Sequence, residues 1–255
     1  MHIASTACLV QSQCGRVVLL AYRGTDPTAL PTWLGNAEVG TPSHVLKLAD
    51  GAQALRVHAG FHQNTRATWW AVIDELTAAL EARSLADRDV RVDHPMQALY
   101  VTGHSLGGAM ALIFALQALG NSAQRPIAER LRAVYTFGQP LATAGPLPPV
   151  ARALDSKLIR HVLANDPIPS LPPSTWAELA HFGQEFRYDG GQWRRAESAV
   201  AQFSGLKELG RSSLVYLMRG KDRSALRYRL DEHDPHHYLA ALRPKDRVTE
   251  FGDWE

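Results

Sequence analysis

The chain has 255 residues, 45% hydrophobic and 20% charged, a balance that fits an ordinary folded domain and excludes a disordered or fibrous protein. Lys and Arg number 27 against 25 Asp and Glu, and they are scattered, so nucleic-acid binding has no compositional support. Cys8 and Cys14 cannot build a disulfide framework, and no apolar run reaches the roughly 18 to 20 residues of a membrane span.

Ala4 to Val10 and Arg16 to Tyr22 are apolar runs separated by Gln11 to Gly15, which reads as a β-hairpin whose second strand ends at Arg23-Gly24-Thr25-Asp26-Pro27. From Asp26 to Leu55 the signal is weak and punctuated by Pro27, Pro31, Pro42 and glycines, so a loop-like, partly mobile segment is expected. Trp33 and Leu34 stand out there. Large apolar residues in a loop either pack onto a core or cover a binding site, and the flanking Pro and Gly favour a cover, a lid near 26–40. Val57 to Phe61 closes an extended piece, and Trp69, Val72, Ile73, Leu76 and Leu80 then recur at helical spacing through Arg83.

Gln97 to Thr102 predicts a short buried strand, and Leu106 to Leu116 a helix apolar nearly all round. Leu131 to Phe137 and Lys157 to Leu163 predict two more strands, ending in Gly138-Gln139-Pro140 and Ala164-Asn165-Asp166-Pro167. Beyond Leu171 the character changes, through Pro172-Pro173, His181 to Tyr188 and Gly190-Gly191, to a loop or small hairpin excursion, variable near 175–230. A helix resumes over Pro235 to Leu242 with Tyr238, Leu239 and Leu242 on one face. Helices alternating with short apolar strands predict a single α/β domain over 1–255, with a mainly parallel sheet and helices on both faces.

The chemistry concentrates at Gly103-His104-Ser105-Leu106-Gly107, between a predicted strand and a predicted helix. Gly-X-Ser-X-Gly alone is weakly specific, but in this context it reads as a nucleophile elbow, with Ser105 lifted above the sheet edge. The helix start beneath it favours developing negative charge. A serine hydroxyl needs a base, and the base needs a third group to hold its tautomer. In the α/β-hydrolase order of Ser, acid, His, the acid falls at Asp166, just after a strand. Of the later histidines, His181 follows the acid too soon, while His233 and His236 compete as base. His233, in the loop before the last helix, is favoured.

These residues resemble the class 3, or fungal-lipase-like, lipase family. The resemblance rests on Tyr22-Arg23-Gly24-Thr25, Trp33-Leu34-Gly35-Asn36, Val57 to Phe61, Gly103 to Gly108, Thr136 to Pro140 and Asn165 to Pro173, six motifs in family order. It implies an α/β-hydrolase fold with Ser105 as nucleophile, Asp166 as orienting acid and His233 as base, the last through its spacing to Tyr238. It also implies an oxyanion hole from the Leu106 N–H and Thr25, a lid at Trp33-Leu34, and a structural role for His58.

The expected function is hydrolysis of carboxylic esters, acylglycerols or shorter-chain esters, through an acyl-serine and with no metal or organic cofactor. A phospholipase is the alternative within this chemistry, since the basic stretch from Arg211 to Arg229 suits an anionic lipid interface. A catalytically silent binding module is the alternative outside it. The partners expected are an ester or lipid substrate and transient contact with a lipid interface. The N-terminus carries no signal-peptide pattern, making the cytoplasm the default expectation.

Overall fold

The computed structural model describes residues 6–24, 43–172, 174, 178–201 and 232–243. Thr25, Trp33, Leu34 and the basic stretch 211–229 lie outside the described residues. In chain order the strands are β1 (Ala7–Gln11), β2 (Val17–Tyr22), β3 (Ser43–Leu48), β4 (Gln53–His58), β5 (Ala98–His104), β6 (Leu131–Phe137), β7 (Thr143–Ala144), β8 (Leu158–Leu163), β9 (Gln184–Asp189) and β10 (Gln192–Arg195). The helices are α1 (Ala59–Leu80), α2 (Leu106–Leu119), α3 (Arg125–Ala128), α4 (Pro149–Arg152) and α5 (Pro235–Leu242).

Seven strands form the main sheet in the order β1-β2-β5-β6-β8-β9-β10. Pairings from β2 through β9 are parallel, and the two edge pairs are antiparallel hairpins. In β5 the buried residues Leu99, Val101 and Gly103 alternate with the half-buried Tyr100, Thr102 and His104, the two-residue period that separates one sheet face from the other. The buried face of β2 and β5 shares a core with α1 and α2 through Val18, Leu20, Leu99, Val101, Met110 and Phe114. Helix α2 is buried all round because it lies between this sheet and α1, and the Phe114 ring is 5.4 Å from Trp69 and 6.1 Å from Tyr22. Each such side chain contributes about 1.5–3 kcal/mol by leaving water.

The other face carries α5. Tyr238 of that helix meets Phe137 edge-on at 6.1 Å, and the Trp193 indole N–H donates to the Ala241 carbonyl at 2.9 Å. Helices thus lie on both faces. Among the described residues no single helix is long and apolar enough to cross a membrane.

Two sequence expectations change. Part of the weak segment before Leu55 is a strand, β3, paired antiparallel to β4 in a second sheet ordered β3-β4-β7. The excursion after Leu171 is partly sheet as well: β9 pairs parallel to β8, and β10 folds back on it. A buried ion pair fastens that extension, with Arg160 Nη1 3.0 Å from Glu185 Oε2, the Arg160 Nε–H donating to the Phe182 carbonyl at 2.9 Å, and Arg187 on the other Glu185 oxygen.

Candidate active site

Strand β5 and helix α2 meet at Ser105, whose φ of 56° and ψ of −127° lie outside the regions that non-glycine residues ordinarily occupy. Such a conformation costs about 1–3 kcal/mol and survives only where the surroundings enforce it. The surroundings do so through close backbone approach. A Cβ on Gly103 would lie 2.2 Å from the carbonyl of Gly107, and one on Gly107 would lie 2.2 Å from the carbonyl oxygen of Tyr22. Strand, helix start and the end of β2 therefore cross at van der Waals limits, which is why the motif needs glycine on either side of its serine. The Ser105 N–H donates to the Phe137 carbonyl at 2.9 Å and ties the turn to β6. Leu106 N–H opens α2, where the first amides of a helix have no partner inside it. Gly24, at the end of β2, completes the rim, since a Cβ there would come within 3.3 Å of Ser105 Cβ.

Asp166 follows β8 after a tight turn in which its N–H donates to the Leu163 carbonyl at 3.1 Å. Its carboxylate is buried and saturated. Oδ1 accepts from the Ile168 N–H at 2.8 Å, while Oδ2 accepts from His233 Nδ1 at 2.7 Å and from the Tyr238 hydroxyl at 2.6 Å. Tyr238 in turn accepts from the Leu163 N–H at 3.3 Å. Burial first, and then the Asp166 charge, push the phenol of Tyr238 well above its ordinary pKa, so it remains a donor. Because Nδ1 of His233 faces a carboxylate, the proton sits on Nδ1 and the lone pair on Nε2. That Nε2 is buried and has no protein partner among the described residues.

His233 rather than His236 meets the acid. The capping geometry of α5 explains this: Asp234 is the N-cap and accepts from the His236 N–H at 2.8 Å, with Pro235 at the first helical position. This cap turns His236 and His237 outward, where both are exposed, and leaves His233 one residue before the cap, facing inward. His181 is elsewhere, its Nε2 2.7 Å from the Pro169 carbonyl oxygen. The His233 ring reaches the elbow by lying 4.5 Å from the ring of His104, the residue before Ser105. His58 accepts from the Phe61 N–H through Nδ1 at 3.4 Å and caps α1.

Three participants escaped the sequence reading. Tyr238 registered as a helix-face residue and as the spacing mark for His233, without its bond to Asp166. Gly138 was visible in Gly-Gln-Pro but without a role: at φ +57°, a Cβ there would meet Asp166 Oδ2 and His233 Cε1, both at 2.8 Å. His104 passed as the variable position of the elbow. Among the described residues no group of three or more His, Cys, Asp or Glu is placed to hold a metal ion.

Comparison with known proteins identifies the family and the fold. The family model described as Lipase (class 3) matches residues 19–176, more than half of the chain. Triacylglycerol lipase OBL1 of Ricinus communis is 25% identical over 208 residues, which is 68% of this chain and 38% of that protein. The chain therefore spans well under half the length of this curated relative. Among solved structures, the native Rhizomucor miehei lipase propeptide complex superposes with a TM-score of 0.57 at 19% identity, covering 78% of this chain and 58% of that one. A triacylglycerol lipase whose catalytic centre is formed by a serine protease triad superposes with a TM-score of 0.57 at 22% identity, covering 75% and 64%. At these identities the structural likeness establishes the α/β-hydrolase fold, and the family match over residues 19–176 places the chain in the class 3 lipase family.

Proposed function

We propose that the protein hydrolyses carboxylic esters, acylglycerols or shorter-chain esters, through an acyl-serine intermediate. One observation carries the reading: a buried histidine is held by a buried carboxylate through Nδ1, its Nε2 is left without a protein partner among the described residues, and its ring packs against His104, the chain neighbour of a strained serine. In this reading Ser105 Oγ attacks the ester carbonyl carbon as its proton passes to His233 Nε2. Negative charge gathers on the carbonyl oxygen, where the Leu106 N–H at the start of α2 donates to it. Thr25, next to Gly24 on the rim, supplies the second donor. Each such donor is worth about 10² to 10³ in turnover. Asp166 stays ionised and stabilises the imidazolium while it exists. His233 then returns the proton to the departing alkoxide, the alcohol leaves, and water deacylates Ser105 by the same steps in reverse roles.

The lipid preference rests on the family and on what its relatives are called, and Trp33 and Leu34 are proposed to cover the site. Activity on phospholipids is the second reading, favoured by the basic stretch 211–229. Purified protein assayed on p-nitrophenyl butyrate, emulsified triacylglycerol and phospholipid vesicles tests both. Hydrolysis of the soluble ester that disappears in Ser105→Ala is expected. An inert parent would make the fold a binding module.

A further inference from the structure

His104 ends β5, and the alternation along that strand turns its side chain away from α2, onto the face that carries α5. There its ring is wedged between two members of the site. It lies 4.5 Å from the His233 ring at an interplanar angle of 31°, and 5.5 Å from Tyr238 in an edge-on contact. The Nε2 of His104 is buried and has no partner among the described residues. Filling space does not need that nitrogen, and an unpartnered buried polar atom costs free energy. What the arrangement provides is contact with the one side chain whose orientation must persist while its charge changes.

We propose that His104 is a positioning residue for the base: its ring, held between Tyr238 and His233, fixes the tilt at which His233 joins Asp166 to Ser105. The one hydrogen bond to Asp166 fixes the Nδ1 edge of the His233 imidazole but leaves the tilt of the ring plane loosely set. A flat surface at 4.5 Å removes that freedom. A misplacement of about 1 Å at a reacting group can lower turnover by about 10²-fold. When His233 takes the serine proton, a neutral imidazole presents a π face to the new cation, whereas a protonated one would oppose it.

The ionisable groups facing His104 are His233, Tyr238, Asp166 and Asp234. Burial, reinforced by His233, lowers the His104 pKa to about 4, with Asp166, the His233 backbone and Asp234 pulling the other way. Above about pH 4 His104 is therefore neutral.

This inference rests on the triad reading above, and the test separates the two. Steady-state hydrolysis of p-nitrophenyl butyrate is measured for the full-length parent, Ser105→Ala, His104→Ala and His104→Phe, with melting temperatures for each. His104→Ala should lose between about 10- and 100-fold in kcat with KM within about twofold. His104→Phe, which keeps a flat ring, should recover kcat to within about threefold of the parent. Parent-like kcat in His104→Ala, or no recovery in a folded His104→Phe, overturns the positioning role. If His104→Ala fails to fold, His104→Leu, which fills the space without a flat ring, takes its place: a kcat at least about 10-fold below that of His104→Phe supports the role, and equal values overturn it. A parent inert to the ester overturns the triad reading itself.

Discussion

Two buried carboxylates belong to neighbouring parts of the sheet, Asp166 just beyond β8 and Glu185 on β9, and both are saturated with donors. Their partners differ in kind. Glu185 faces two guanidinium groups, Arg160 and Arg187, together with the Val200 N–H at 2.9 Å. Asp166 faces an amide, a phenol and an imidazole, with no permanent cation among them. A carboxylate already neutralised by arginine has little attraction left for a transient charge. One held only by neutral donors keeps its full field for an imidazolium that exists only during the reaction. The contrast separates a charge that fastens β9 to β8 from one that the proposed mechanism uses to hold His233.

The largest expected effect breaks the contrast from both sides. Asp166→Asn replaces the acceptor at His233 Nδ1 with an amide that can donate there, favouring the wrong tautomer, and should cost about 10⁴ in kcat with a modest change in Tm. Glu185→Gln should do the reverse. It strands the buried Arg160 charge and should destabilise by about 3–5 kcal/mol, while the folded fraction keeps its turnover. Denaturant titration alongside kcat for both variants makes the comparison.

Next comes Gly138→Ala. The new methyl would press on Asp166 Oδ2 and His233 Cε1 from a backbone at φ +57°, so both stability and activity should fall, by about 1–3 kcal/mol and about 10²-fold. A methyl accepted without loss of rate would show that the pair tolerates displacement. Tyr238→Phe is milder. It removes one donor to a charged oxygen, leaves the Leu163 N–H unpaired, and should lower kcat by about tenfold with KM nearly unchanged.

The effect of pH on stability is the smallest per residue. Burial holds His58 and His161 down to about 4 and His181 to about 3, so each is neutral in the folded protein. An unfolded chain would protonate them at about 6.5. Their contribution is thus fully present above pH 6.5 and is lost as pH falls towards 4, so Tm should drop by several degrees between pH 7.5 and pH 5. A Tm that stays level over that range would show these rings charged and compensated in the fold.

The sequence made the elbow legible because its signal is local: a short apolar strand, a glycine on each side of Ser105, and an apolar helix at once afterwards. The last helix was legible too, since spacing and the Asp234-Pro235 start both mark it. Strand β3 was not. Its first three residues are exposed, Val45 among them at 50%, so the strand lacks a clean alternation, and its identity comes from pairing with β4. The choice between His233 and His236 turns on which side of one cap each residue falls, and spacing alone leaves that open. Tyr238 and His104 act through neighbours distant in sequence, and no local pattern distinguishes them from packing residues.

The central claim is that Ser105 is activated by His233, and that His233 is held by Asp166. A fluorophosphonate probe tests it most directly, with the adduct mapped by mass spectrometry and the labelling rate measured across the three positions. The account predicts a single adduct on Ser105 in the parent, none in Ser105→Ala, and labelling slowed by at least about 10³-fold in both His233→Ala and Asp166→Asn, with His236→Ala close to the parent. An adduct on another residue, or rapid labelling in folded His233→Ala, would contradict it.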